Sequence, residues 1–243
     1  MREQLLAYVI KYGGEYLKIK KAIKDNEDWV PTSSNYNYIT ILDKEYPAKL
    51  LRLPNPPFVL FYIGDLSLLK EDGVAIVGTR CPSLAGNKAI KAVMDNINSR
   101  YSIISGLAKG IDGLAHSYGL NHHKCIGVIG CGINVIYPKV NGSLYGALKE
   151  KHLIVSEYPE GIEPLAFHFP MRNRIIVALS NTLIVIEAKL HSGTMLSVNE
   201  ALNINVPVYC IPHDIFNEMG LGCNELIKQG ANMIVNIEDI KDI

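Results

Sequence analysis

Apolar residues in this chain follow two rhythms, and the change between them falls near residue 36. Residues 1 to about 30 place Leu5, Leu6, Val9 and Ile10 at helical spacing and run on into a lysine-rich stretch of the same period. This predicts a short helical appendage over residues 1–35, too small to bury a core of its own. The segment YITILDKEYPAKLLRLPNPPFVLFYIGDL follows, where two short β-type runs flank LPNPP, whose prolines break helix and favour extended or turn backbone. From Gly73 onward the runs VAIVG, YSIIS, CIGVIG, LIVS, TLIVIE and VPVYCIP alternate with stretches of helical spacing. Runs that are apolar throughout, rather than at every second position, suit strands covered on both faces. The prediction is an α/β domain over residues 36–243, with a mainly parallel sheet, helices on both faces and right-handed crossovers.

Composition narrows the function classes. With 243 residues, 48% of them hydrophobic, the chain can bury one large core. Its 24 Lys+Arg balance 24 Asp+Glu, so no global field draws in phosphates and any nucleic-acid affinity must sit in a local patch. The cysteines Cys81, Cys125, Cys131, Cys210 and Cys223 are odd in number and form no CxxC pair, which reads as free thiols in a reducing compartment without structural zinc. The opening MREQLLAYVIKYGG interrupts its apolar positions with charge, unlike a signal peptide, and no apolar run reaches spanning length. A cytoplasmic protein with no membrane partner is therefore expected, with no further folded module after MIVNIEDI.

The polar signals gather in the strand-to-helix loops, where open parallel sheets bind ligands. Gly78-Thr79-Arg80 follows the first of these strands, Ser105, Gly106 and Lys109 follow the second, and Ser192-Gly193-Thr194 opens a helix after TLIVIE. Glycines let the backbone approach closely, helix N-termini offer unpaired N–H groups and hydroxyls add donors, which together suit a phosphate. Any one such loop is as readily a plain turn with a capped helix; three on one rim predict a phosphate-binding site. In the segment FHFPMRNR, Phe169 stands beside Arg172, Asn173 and Arg174. Rings stack bases, at about 1–3 kcal/mol each, and guanidiniums hold phosphates, so the segment suits single-stranded nucleic acid. The structural alternative has Phe169 and Pro170 stapling a following helix and Arg174 pairing with a carboxylate such as Glu187.

Other chemistry finds less support. Asp112 and His116 lie four apart on one helix face, but no further ligands stand at readable spacing; a hydrogen-bonded pair anchoring the helix is expected, and no metal. Glu187 ends an apolar strand, where it could serve as a general base or be held by an arginine or a helix N-terminus. Gly130-Cys131-Gly132 lacks a third glycine at dinucleotide-binding spacing, and there is no Walker lysine and no GxSxG elbow, so no cofactor and no catalytic residue is assigned.

Taken in order, AIVGTR (75–80), SGLAKGIDGLAH (105–116), GCGINVIYPKVN (130–141), SEYPEG (156–161), FPMRNRII (169–176), EAKLHSGTM (187–195) and GCNELIKQGA (222–231) resemble the DprA/Smf family from about Tyr38 onward. The resemblance implies an extended Rossmann-like fold that binds single-stranded DNA in a basic pocket, forms a homodimer and loads RecA during transformation or recombination, without catalysis. By matching position it assigns the pocket to Arg80, Ser105, Gly106, Lys109, Phe169, Arg172, Asn173 and Arg174, completed by Ser192, Gly193 and Thr194. Asn134, where relatives often carry aspartate, and Pro212-His213, in place of proline-glycine, depart from the pattern. The alternative is a nucleotide-processing enzyme akin to the phosphoribohydrolases that cleave nucleoside monophosphates. Ser192-Gly193-Thr194 lacks the glycine pair of that family's GGxGT loop, and Glu200 lies farther along than its glutamate. A sensor binding a small nucleotide through the same rim is a third reading.

Overall fold

The computed structural model describes all of residues 1–243. Helices α1 (Arg2–Lys11) and α2 (Tyr16–Lys24) come first, followed by β1 (Asn37–Thr40) and β2 (Val59–Gly64) on either side of the proline-rich stretch. Strands and helices then alternate: β3 (Gly73–Val77), α3 (Leu84–Asn96), β4 (Ser102–Ser105), α4 (Ile111–Gly119), β5 (Cys125–Ile129), α5 (Gly142–Lys151) and β6 (Leu153–Ser156). The second half holds α6 (His168–Leu179), β7 (Thr182–Val185), α7 (Gly193–Asn203), β8 (Val208–Cys210), α8 (Leu221–Lys228), β9 (Asn232–Met233) and α9 (Ile237–Lys241). No helix is long and apolar enough to cross a membrane.

All nine strands join one sheet in the order β1-β2-β6-β5-β4-β3-β7-β8-β9. The pairings from β6 through β9 are parallel; β1 with β2 and β2 with β6 are antiparallel. This is the α/β, mainly parallel sheet with helices on both faces that the apolar runs predict. The reason is visible strand by strand. Val74 and Ile76 of β3 enter one core while Ala75 and Val77 enter the other, and Ile184 of β7 is divided in the same way from Leu183 and Val185. One face carries α3, α4 and α5; the other carries α6, α7 and α8. Each fully buried aliphatic side chain stabilises by about 1.5–3 kcal/mol, so a polar residue at either alternating position of these strands would cost as much.

The first two helices are not held apart from this core. Leu5, Leu6, Tyr8, Val9 and Ile19 are buried in the same cluster as Val59 and Phe61 of β2 and Ile154 of β6. They close the β1–β2 edge on one face.

The topology also fixes where a ligand would sit. From β3 the chain moves outward through β4, β5 and β6, and only β7 returns to pair with the other side of β3. The loops leaving β3 and β7 therefore part in opposite directions and open a crevice beyond the carboxyl ends of the strands.

Candidate nucleic-acid interface

Three loops meet at that crevice and are tied together by their backbones. The Thr79 N–H donates to the carbonyl of Glu187 at 2.8 Å, and the Ile111 N–H donates to the carbonyl of Thr79 at 3.1 Å. Gly110 permits the second contact: its φ of +75° belongs to the left-handed region, and a Cβ there would strike the backbone of Thr79 and Arg80. Asn141 steadies the same loop from α5's side, donating to the carbonyls of Leu107 and Ala108 at 2.9 and 3.0 Å.

The three helix N-termini at this rim are not equivalent, which refines the expected phosphate rim. At α3, Ser83 caps Gly86, and the Glu187 carboxylate accepts from Ser83 N–H at 2.8 Å, from Ser83 Oγ at 2.5 Å and from Asn217 Nδ2 at 3.0 Å. Burial pushes the Glu187 carboxyl up, but these hydrogen bonds outweigh it and hold the group below its usual range. Glu187 is thus held by a helix N-terminus and takes an anion's place there. At α4, the Thr79 carbonyl takes the first N–H. At α7 the Ser192 hydroxyl turns away to the Lys189 carbonyl at 3.0 Å and makes no cap. The Met195 N–H donates to the Ser192 carbonyl at 3.0 Å, so the N–H groups of Gly193 and Thr194 remain as the open, anion-attracting end of α7.

A cavity of about 780 Å³ occupies the crevice, lined among others by Gly78, Thr79, Arg80, Phe169, Arg172, Asn173, Ser192, Gly193 and Thr194. A smaller chamber of about 180 Å³ adjoins it, shares Arg80, Tyr137, Phe169 and Arg172, and adds Lys109. Phe169, Arg172, Asn173 and Ile176 all line the larger cavity because spacings of three, four and seven residues return to one face of α6. Pro170 is tolerated in this helix because it stands in the first turn, where its missing N–H would have had no helical partner. Phe169 is the centre of an aromatic and cationic group: the Arg80 guanidinium lies 5.7 Å from its ring centroid, that of Arg172 6.0 Å, and the Tyr137 ring 5.7 Å.

Arg172 is buried, donates to the Val128 carbonyl at 3.2 Å and stands 3.8 Å from the Asp112 carboxylate. It passes directly over Gly106, where a Cβ would run into the guanidinium. Burial lowers the Arg172 pKa against the pull of Asp112; burial likewise raises that of Asp112 against Arg172 and Arg80. The charged residues lining the large cavity are Arg80, Arg172 and Lys189 against Asp112, so the site is positive within a neutral chain.

Three of the expected pocket residues line neither chamber; Gly106 lies beneath the Arg172 guanidinium. Ser105 is fully buried and donates its hydroxyl to the Ile76 carbonyl at 2.6 Å, tying β4 to β3 beneath the cavity. Arg174 is 2% exposed and paired with Glu157 at 2.5 Å, away from the cavity; its partner is not Glu187. The expected Asp112–His116 hydrogen bond is also absent. Asp112 turns to Arg172, and the fully buried His116 ring does not meet it but faces the Ser105 and Gly106 backbone. Burial lowers the His116 pKa to about 4, so its ring is neutral at pH 7. Sequence reasoning missed Lys189, Tyr137 and Met219, which also line the cavity. Lys189 carried a usable signal, a cation in a strand-to-helix loop; Tyr137 and Met219 carried none.

Comparison with known proteins agrees with the architecture. The model of the DNA recombination-mediator protein A family matches residues 37–243. DNA processing protein DprA of Streptococcus pneumoniae is 43% identical over 202 residues, covering 83% of this chain and 72% of that protein. Protein Smf of Escherichia coli is 36% identical over 224 residues, covering 91% of this chain and 60% of that protein. The X-ray structure of DNA processing protein A from S. pneumoniae superposes with a TM-score of 0.83 at 35% identity, covering 98% of this chain and 92% of the other. A Helicobacter pylori DNA processing protein A, whose structure concerns its single-stranded DNA binding mode, gives a TM-score of 0.76 at 32% identity over 86% of this chain and 95% of that one. On the family match and these identities, the chain belongs to the DNA recombination-mediator protein A family.

Proposed function

We propose that this chain is a recombination mediator that holds single-stranded DNA in the switch-point cavity and passes it to a RecA-type recombinase. One observation carries the reading: Phe169 stands between Arg80 and Arg172 at the mouth of a positive cavity, with the open N-terminus of α7 on the same rim. A ring for an unstacked base and cations for the backbone are the two elements of single-strand recognition, whereas a paired duplex offers no free base face. The H. pylori relative's single-stranded DNA binding supports the same assignment. Arg80, Phe169, Arg172, Asn173, Lys109, Ser192, Gly193 and Thr194 are proposed to meet the strand, with Gly78, Thr79 and Gly106 shaping the loops. Ser105 and Arg174 are proposed as structural supports.

The recombinase hand-off and a homodimer are carried by the family resemblance, and a cytoplasmic location by the unpaired cysteines; residues 1–35 are proposed as a helical appendage packed on the domain of residues 36–243. A non-catalytic role is favoured by the two carboxylates near the cavity: Glu187 is engaged by Ser83 and Asn217, and Asp112 faces Arg172. The test is a titration of single-stranded, double-stranded and mononucleotide ligands. Single strands should bind at least about tenfold tighter than duplex, with log affinity falling by about 0.7 per log salt for each phosphate contact. Equal binding of duplex, preference for the mononucleotide, or release of base from a nucleoside monophosphate would overturn the reading.

A further inference from the structure

Helix α2 carries a charge that the cavity does not use. Between residues 15 and 24 stand four lysines and one glutamate, in a chain whose total charge is zero. Ile19 and Ala22 are buried in the core, and Lys18, Lys20, Lys21 and Lys24 are exposed on the outer arc of the helix. Lys18 pairs with Glu15 at 2.8 Å, an exposed pair that is easily exchanged, and no ion pair includes Lys20, Lys21 or Lys24. The acidic residues Asp25, Glu27 and Asp28 follow the helix, and Glu27 is engaged by Lys11.

The start of this helix lies beside the element that carries Phe169. Tyr16 stacks on Phe58 at 5.0 Å, and Gly14, just before α2, lies close against the Tyr158 ring. Tyr158 stacks on His168 at 4.0 Å, and His168 meets the 58% exposed Phe167 edge-on at 4.5 Å. Phe167 and His168 open α6, one residue before Phe169 at the cavity mouth. The buried contacts of Tyr158 and His168 thus join the start of α6, with the exposed Phe167 beside it, to the start of α2, whose lysines 18 to 24 span about 9 Å at 1.5 Å per residue.

We propose that Lys18, Lys20 and Lys21 form a second phosphate-binding track, which takes the backbone of a single strand after it leaves the cavity. The inference rests on the proposed single-strand binding and adds the route of the strand to it. Nucleic acid is the occupant because the lysines supply charge, while Ile19 and Ala22 are buried and Leu17 alone is a largely exposed apolar side chain on the helix, too little apolar area for a lipid-inserting face.

The test compares oligothymidylates of about 6 and about 30 nucleotides, the shorter filling only one small site. The Lys18→Gln/Lys20→Gln/Lys21→Gln variant should bind the short strand within about twofold of wild type and the long strand about 5- to 10-fold more weakly. Its salt slope on the long strand should fall by about 1–2, as expected for two or three lost phosphate contacts. The matching triple Lys→Arg variant keeps the charge and should bind both as wild type does. Unchanged long-strand affinity, an equal loss on both strands, or capture of anionic phosphatidylserine vesicles by wild type and not by the glutamine variant would overturn the track. A wild type that binds neither strand would instead refute the single-strand function itself.

Discussion

Arg174 sends its guanidinium away from the cavity because two residues along an α-helix turn through about 200°, so Arg172 and Arg174 leave α6 on different sides. Arg172 enters the crevice over Gly106; Arg174 passes under it to Glu157, and both members of that pair are buried. Removing one partner of such a pair leaves an uncompensated charge. Arg174→Met should therefore cost about 3–5 kcal/mol in urea denaturation, and a double change with Glu157→Leu should recover most of it. A variant that keeps its stability and loses DNA binding would place Arg174 at the interface after all. The segment FPMRNR did disclose an aromatic and arginine site, since Phe169, Arg172 and Asn173 all reach the cavity. What it could not disclose was which arginine, because closeness in sequence reads as closeness in space only when the helix start is known. The alternative of Phe169 and Pro170 stapling a helix that follows them does not hold, because α6 begins at His168 and includes both.

Among the elements, the strands from β3 to β8 were legible because burial on both faces demands uninterrupted apolar runs. β9, two exposed residues long, gives periodicity nothing to register. The strand-to-helix loops were legible as a group, yet their roles were not. Gly78-Thr79-Arg80 and Ser192-Gly193-Thr194 look alike as sequence, while only the structure reveals that Glu187 already fills the N-terminus of α3 and that α7 is open. The Glu187→Gln variant tests this. It should lose about 1–2 kcal/mol of stability through a weakened helix cap and leave single-strand affinity within about twofold. Because the Glu187 pKa is lower folded than unfolded, its contribution is present above the unfolded carboxyl pKa and fades as pH falls through the folded one. The variant should accordingly show a flatter acid limb in a stability–pH series below about pH 4.5. A tenfold loss of DNA binding at unchanged stability would show instead that Glu187 faces the ligand.

At the scale of the whole molecule, a chain with no net charge concentrates three cations and one carboxylate around a cavity at the topological switch point. Periodicity alone pointed to the parallel sheet and to the rim of loops. The strand order that brings β3 beside β7, and so opens the crevice, depends on long-range pairings that no local pattern records. Affinity concentrated in so few groups should be sensitive to single changes. Fluorescence anisotropy of a labelled single strand, titrated with wild type, Phe169→Ala and Arg80→Ala across a salt series, tests the central claim most directly. Phe169→Ala should weaken binding by about 5- to 150-fold, the equivalent of about 1–3 kcal/mol for one stacked base. Arg80→Ala should weaken it and flatten the salt slope by about 0.7. Two folded variants that bind as tightly as wild type, with the same slope, would contradict the assignment of the strand to this cavity.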